Sequence, residues 1–162
     1  MDIEKRASRV KLLVMDCDGV LTDGRLYFGT TGEELKVFFV RDGQGLAFWH
    51  KAGYRSAIIS GRASDIVESR AKELGIEFVI QGRVDKTVAF AELLLMAGAT
   101  ADQVAYIGDD IPDAELMPKV GFAVAPKDAV KEAKAAAHYV TKKKGGYGAV
   151  REVIDLLLKH RS

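Results

Sequence analysis

Residues 11–24 read K-L-L-V-M-D-C-D-G-V-L-T-D-G, a short apolar run that ends abruptly in acids. Leu12, Leu13, Val14 and Met15 show no polar alternation, as expected of a strand covered on both faces of a parallel sheet. Side chains alternate along an extended segment, so Asp16 and Asp18 are expected on one side and Cys17 on the other, with Gly19 permitting a sharp turn. Two carboxylates then converge at one strand end. Unit charges 4 Å apart repel by about 4 kcal/mol at an effective dielectric of about 20, so the pair requires a cation, a shared proton or distance. Mg²⁺ suits the first, because it takes one or two protein carboxylates and leaves its other positions to water and phosphate oxygens. For this segment alone, an acidic loop with no ligand is the alternative.

Length sets the next bound. A chain of 162 residues holds one compact domain, expected over residues 1–162, with a real core. Hydrophobic residues at 48% and charged residues at 29% are ordinary for a globular protein and argue against disorder. A net charge of +1 argues against a general nucleic-acid or membrane surface, although Lys142, Lys143 and Lys144 form a local basic cluster. One cysteine makes no internal disulfide. Residues 1–9 are charged, without the apolar core of a signal peptide, and no apolar run is long enough to span a bilayer. A cytoplasmic location is therefore expected.

Beyond the first strand, residues 25–28 and 35–40 predict a β-hairpin around a Gly- and Thr-rich turn. In its second strand Leu35, Val37 and Phe39 would face one way, Phe38 and Val40 the other. Both faces are then apolar, which predicts cover by another subunit; packing of one face on the chain's own helices is the alternative. Helices are expected over 42–51, from Ser64 to a stop at Gly75, and over 85–97, 128–137 and 148–159. Strands are expected over 54–59, 77–80, 104–108, 121–125 and near Tyr139. This alternation predicts an α/β, Rossmann-like parallel sheet with helices on both faces, plus the hairpin. Ligands of such sheets bind outside the carboxyl ends of the strands, and Asp16, Ser60 and Asp109 each lie at one. Lys86 adds to them: a cation in the first turn of a helix opposes the helix dipole unless an anion lies nearby.

The D-C-D-G-V-L-T-D-G run, the apolar strand ending at Ser60, Lys86, and G-D-D-I-P-D at 108–113 resemble the four ordered motifs of the haloacid dehalogenase superfamily of aspartate-nucleophile phosphatases. That resemblance spans most of the chain and implies Mg²⁺-dependent phosphoryl transfer. It implies Asp16 as nucleophile and metal ligand, Asp18 as general acid and base with its backbone carbonyl on the metal, and Asp109 as a further ligand. Ser60 and Lys86 would hold phosphoryl oxygens, with Asp110 and Asp113 supporting the site from behind. V-R-D-G-Q-G at 40–45, S-G-R at 60–62 and G-G-Y-G-A-V-R-E at 145–152 further resemble the small branch that acts on 3-deoxy-D-manno-octulosonate 8-phosphate in lipopolysaccharide precursor synthesis. The spacings from Gly24 to Ser60 and from Ser60 to Lys86 leave no room for a cap insertion. In that branch a homotetramer supplies the cover, through hairpins and a C-terminal tail. The resemblance thus implies Gly61 and Arg62 at the substrate, with Arg62 pairing its carboxylate, and Lys144, Gly145 and Gly146 reaching an adjoining subunit's substrate; a solvated flexible loop is the alternative for those last three.

Other classes fit less well. A related branch hydrolyses nonulosonate 9-phosphates; arginine at position 62, where an acid would suit that branch, favours the eight-carbon substrate. A non-enzymatic response-regulator receiver also combines Asp, Ser or Thr, Lys and Mg²⁺, but has no reason to place an acid two residues beyond its phospho-acceptor. A cysteine phosphatase needs arginine six positions past its nucleophile, where Cys17 has Asp23. Cys17 reads instead as a small buried residue.

Overall fold

The computed structural model describes residues 2–161; Met1 and Ser162, which the single-domain expectation includes, lie outside the described residues. The chain starts with a short helix absent from the sequence reading, α1 (Ile3–Arg9), capped by the Asp2 carboxylate. Next come β1 (Leu12–Met15), the hairpin strands β2 (Tyr27–Gly29) and β3 (Gly32–Leu35), and α2 (Val40–Lys51). β4 (Arg55–Ile59), α3 (Asp65–Leu74), β5 (Phe78–Ile80) and α4 (Lys86–Ala97) form one half of the sheet's winding. β6 (Val104–Ile107), α5 (Ile111–Leu116), β7 (Phe122–Ala125), α6 (Lys131–Ala136), β8 (Tyr139–Val140) and α7 (Ala149–Lys159) form the other.

Six parallel strands lie in the order β5-β4-β1-β6-β7-β8. β1 is central, and the chain winds outward from it first to one side and then to the other. Its alternating side chains feed two separate cores, as an apolar run buried on both faces requires. Leu13 and Met15 pack with Trp49 of α2, Val67 of α3 and Ile154 and Leu157 of α7. Leu12 and Val14 pack with Phe90 and Leu93 of α4, Leu116 of α5 and Ala133 of α6. Helix ends fall where the residue types place them: Gly75 and Gly98 take left-handed backbone after α3 and α4, which glycine adopts without steric cost.

Three boundaries differ from expectation. The second hairpin strand occupies Gly32–Leu35, inside the expected turn, and ends where the strand expected over 35–40 would begin; α2 already begins at Val40. Lys36 follows that strand with its side chain buried against Asp18 and Glu33, between exposed Leu35 and Val37. α6 is shorter than residues 128–137, since the Val130 N–H is bound to the Asp109 carbonyl at 2.9 Å and holds that stretch as a loop. The sequence reading also lacked α5, whose start is a reciprocal capping box between Asp110 and Asp113 with Pro112 in the first turn.

Candidate active site

Parallel pairing with aligned registers, Met15 opposite Ile58 on one side and Ile107 on the other, sets Asp16, Ser60 and Asp109 on the same edge of the sheet. The Asp16 N–H continues the ladder to the Ile107 carbonyl at 3.0 Å, and the Ser60 N–H does so to Ile80 at 2.9 Å. Asp16, Ser60 and Lys86 are all buried.

Lys86, the first residue of α4, has its anion. Its Nζ lies 2.6 Å from Asp113 Oδ1 and 3.2 Å from Asp16 Oδ2. Burial works against the charge, but Asp16 and Asp113 outweigh it and the ammonium is held above its ordinary range. Asp113 is fully buried and fully engaged: Lys86 and the Tyr106 hydroxyl donate to Oδ1, and the N–H groups of Asp109 and Asp110 donate to Oδ2 at 2.9 and 3.1 Å. It therefore shapes the Asp109–Asp110 backbone and orients Lys86. Asp110 accepts from the Ile111 N–H at 2.8 Å and caps α5.

Asp109 is different. Its Oδ1 is buried with no hydrogen-bond partner among the described residues, an expensive state for a carboxylate unless a cation or donor completes it. One carboxylate oxygen each from Asp16, Asp109 and Asp113 lies within 4.8 Å of the others. Burial first, then the neighbouring carboxylates, push Asp109 well above the usual carboxylate range; burial does the same to Asp16, with Lys86 opposing it and Asp113 adding to it. A hard divalent cation between Asp16 and Asp109 would relieve both the orphaned acceptor and the repulsion, so this donor set fits Mg²⁺. Gly19 makes the approach possible. At φ +90° it lies so close to Asp109 that a Cβ there would stand 1.9 Å from Oδ2.

Asp18 departs from the expected convergence. The strand ends at Met15 and the chain turns through residues 17–22, with the Cys17 carbonyl accepting from Val20, Leu21 and Thr22, so alternation no longer applies. The Asp18 carboxylate is instead 2.7 Å from Lys36 Nζ and 3.7 Å from Arg62 Nε, outside the Asp16–Asp109–Asp113 cluster.

Residues 66–154 match the family of haloacid dehalogenase-like hydrolases. The chain belongs to that family. This haloacid dehalogenase-like hydrolase is 49% identical over 157 residues to the 3-deoxy-D-manno-octulosonate 8-phosphate phosphatase KdsC of Yersinia pestis, covering 97% of this chain and 84% of the relative. Its structure is similar to that of the same-named phosphatase from Moraxella catarrhalis in complex with a magnesium ion, a phosphate ion and a KDO molecule. There the TM-score is 0.95 at 43% identity, covering 98% of this chain and 91% of that one. The cobalt-bound Haemophilus influenzae phosphatase gives a TM-score of 0.94 at 39% identity, covering 96% of this chain and 91% of that one.

Within this hydrolase the remaining expected residues separate. Gly61 and Arg62 follow Ser60 at the site's rim; the Arg62 N–H bonds Ser60 Oγ at 3.3 Å, and its half-exposed guanidinium sits 5.8 Å from the Phe28 ring centroid. Gly145 and Gly146 pack against the turn after β1 of their own chain. The Gly146 N–H bonds the Val20 carbonyl at 3.0 Å, and a Cβ on Gly145 would lie 1.8 Å from the Gly19 carbonyl oxygen. They brace the turn behind Asp18, because only glycine lets two backbones approach so closely. Lys144 lines a cavity of about 590 Å³ beside that turn, with Arg25, Lys127 and Lys142 among its neighbours.

Sequence reasoning missed Lys36, Tyr106 and Thr22, whose buried Oγ1 accepts from the N–H groups of Gly19 and Gly24 at 3.3 and 3.1 Å. Lys36 carried a signal, being the lone cation in the apolar run at 35–40. Tyr106 and Thr22 carried none.

Proposed function

We propose that the whole chain is one catalytic domain, a phosphatase that hydrolyses 3-deoxy-D-manno-octulosonate 8-phosphate to the free sugar acid and phosphate. The observation that carries this reading is the likeness, over nearly the whole chain, to phosphatases of that name, one of them holding magnesium, phosphate and the sugar acid. The family's chemistry is supported independently by the clustering of Asp16, Lys86 and Asp109 at one sheet edge. Asp16 and Asp109, with the backbone carbonyl of Asp18, would hold Mg²⁺. When bound, the ion offsets the charge that otherwise keeps a carboxylate from a phosphate dianion.

The protein's own groups do the rest. A carboxylate oxygen of Asp16 attacks phosphorus, forming an acyl phosphate as the bond to the sugar oxygen breaks. Asp18 gives that departing oxygen its proton, then takes a proton from the water that attacks the acyl phosphate, which frees Asp16 and releases phosphate. Lys86, oriented by Asp113, and the Ser60 hydroxyl meet the phosphoryl oxygens where negative charge gathers. Asp16→Asn removes the nucleophile without changing size. Phosphate release from the sugar-acid phosphate, followed with and without Mg²⁺, is expected to vanish in that variant. Turnover at the wild-type rate would sink the mechanism.

The same reading includes a homotetramer and a cytoplasmic location. Phe28, Leu35, Val37 and Val40 are 60%, 45%, 54% and 78% exposed, an apolar surface on and just past the hairpin that another subunit would cover. Phe28→Glu is expected to shift the sedimentation coefficient towards a smaller species. Buried Cys17, the single cysteine, suits a reducing compartment.

A further inference from the structure

Lys36 lies in the link between β3 and α2, flanked by Leu35, Val37 and Phe38, yet its side chain is only 1% exposed. Its Nζ stands 2.7 Å from Asp18 Oδ1 and 2.7 Å from Glu33 Oε1. Buried lysines persist only where partners hold the charge. These two partners come from different elements, one from the turn after β1 and one from the hairpin. Glu33 also accepts from Ser64 Oγ at 2.6 Å. Ser64 is the N-cap of α3, and the Gln81 side chain binds its N–H at 3.0 Å and its carbonyl at 3.1 Å. One continuous chain of polar contacts thus runs from the start of α3, through the hairpin, to the carboxylate of Asp18.

Among the described residues, only Lys36 and Arg62 form an ion pair with the Asp18 carboxylate, and they are not equivalent. Arg62 is 3.7 Å away with 45% of its side chain exposed, so it is free to turn towards a ligand. Lys36 is buried, and its Nζ is held between two carboxylates. A proton donor must remain within hydrogen-bond reach of the leaving oxygen while the phosphorus–oxygen bond breaks, and a misplacement of about 1 Å costs about 100-fold in rate.

We propose that Lys36 is the positioning residue for Asp18, and that the hairpin, anchored through Glu33 and Ser64, sets where that carboxyl stands. The inference rests on the reading of Asp18 as the proton donor. Leaving groups separate it from a structural or phosphate-binding role. A sugar alkoxide needs a proton as it departs; p-nitrophenolate does not. In Lys36→Met, single-turnover cleavage of the sugar-acid 8-phosphate is expected to slow about 10- to 100-fold, while the burst of p-nitrophenolate from p-nitrophenyl phosphate, which precedes the water attack that also uses Asp18, changes in rate by less than about 3-fold. Lys36→Arg should recover most of the loss, and Ser64→Ala should show a smaller loss with the same substrate bias. Equal losses on both substrates, or none on either, would overturn the proposal. Should Lys36→Met fail to fold, the ratio of the two single-turnover rates in Ser64→Ala decides, and an unchanged ratio overturns it. A persisting activity of Asp16→Asn, by contrast, would strike at the phosphatase mechanism itself.

Discussion

Gly19→Ala tests whether the close approach of the turn after β1 to Asp109 builds the metal site. Two costs arise. Gly19 has φ +90°, where a Cβ costs about 1–2 kcal/mol in backbone strain. The added Cβ would also stand 1.9 Å from Asp109 Oδ2. An ordinary carbon–oxygen contact is about 3.3 Å, so the carboxylate must withdraw by the difference, about 1.4 Å. Metal sites tolerate about 0.2 Å in ligand distance, so Mg²⁺ affinity should fall and kcat/KM at limiting Mg²⁺ should drop by about 100-fold or more. Gly24→Ala is the matched control. It shares the strained φ, +85°, but its Cβ would meet nothing nearer than Gly19 Cα at 3.5 Å. Both variants should lose about 2–8 °C in melting temperature, at about 2–4 °C per kcal/mol for a domain of this size. Only Gly19→Ala should lose Mg²⁺ affinity, read by titrating phosphatase activity with Mg²⁺. Equal Mg²⁺ dependence in the two would refute the reasoning.

Four further outcomes are expected. Arg62→Ala should raise KM for the sugar-acid phosphate more than it lowers turnover of p-nitrophenyl phosphate, as steady-state kinetics on both substrates will tell. Tyr106→Phe removes one of four donors to buried Asp113 and should cost about 1–2 kcal/mol in chemical denaturation. Burial pushes the Asp42 carboxyl up to about 6, so between its ordinary value of 3.8 and about 6 the folded state holds a proton the unfolded chain has released. Stability from this group is therefore lost as pH rises through that window, and Asp42→Asn should melt higher than wild type at pH 8 but not at pH 3.5. Mg²⁺ at 100 times its dissociation constant should add about 2.7 kcal/mol, or about 5–10 °C, in a thermal melt. Asp109→Asn should remove that shift.

What the residues disclosed beforehand was whatever depends on near neighbours along the chain. The four apolar residues of β1 bury on both faces wherever they are placed, and acids or a serine at strand ends reach a common edge once the strands run parallel. Lys86 at a helix start signalled an anion by opposing the dipole, without revealing that the anion was Asp113, 27 positions away. Periodicity failed where the chain left regular structure. The alternation that placed Asp18 beside Asp16 does not continue into the turn after β1, and the hairpin strand stops at Leu35, one residue before Lys36 buried against Asp18. Pairing between charged groups distant in sequence leaves no mark on local pattern, since each is soluble and unremarked by itself. Only the folded chain brings Lys36 to Asp18, Asp113 to Lys86 and Gly19 to Asp109, because burial in a shared low-dielectric edge is what makes those contacts strong.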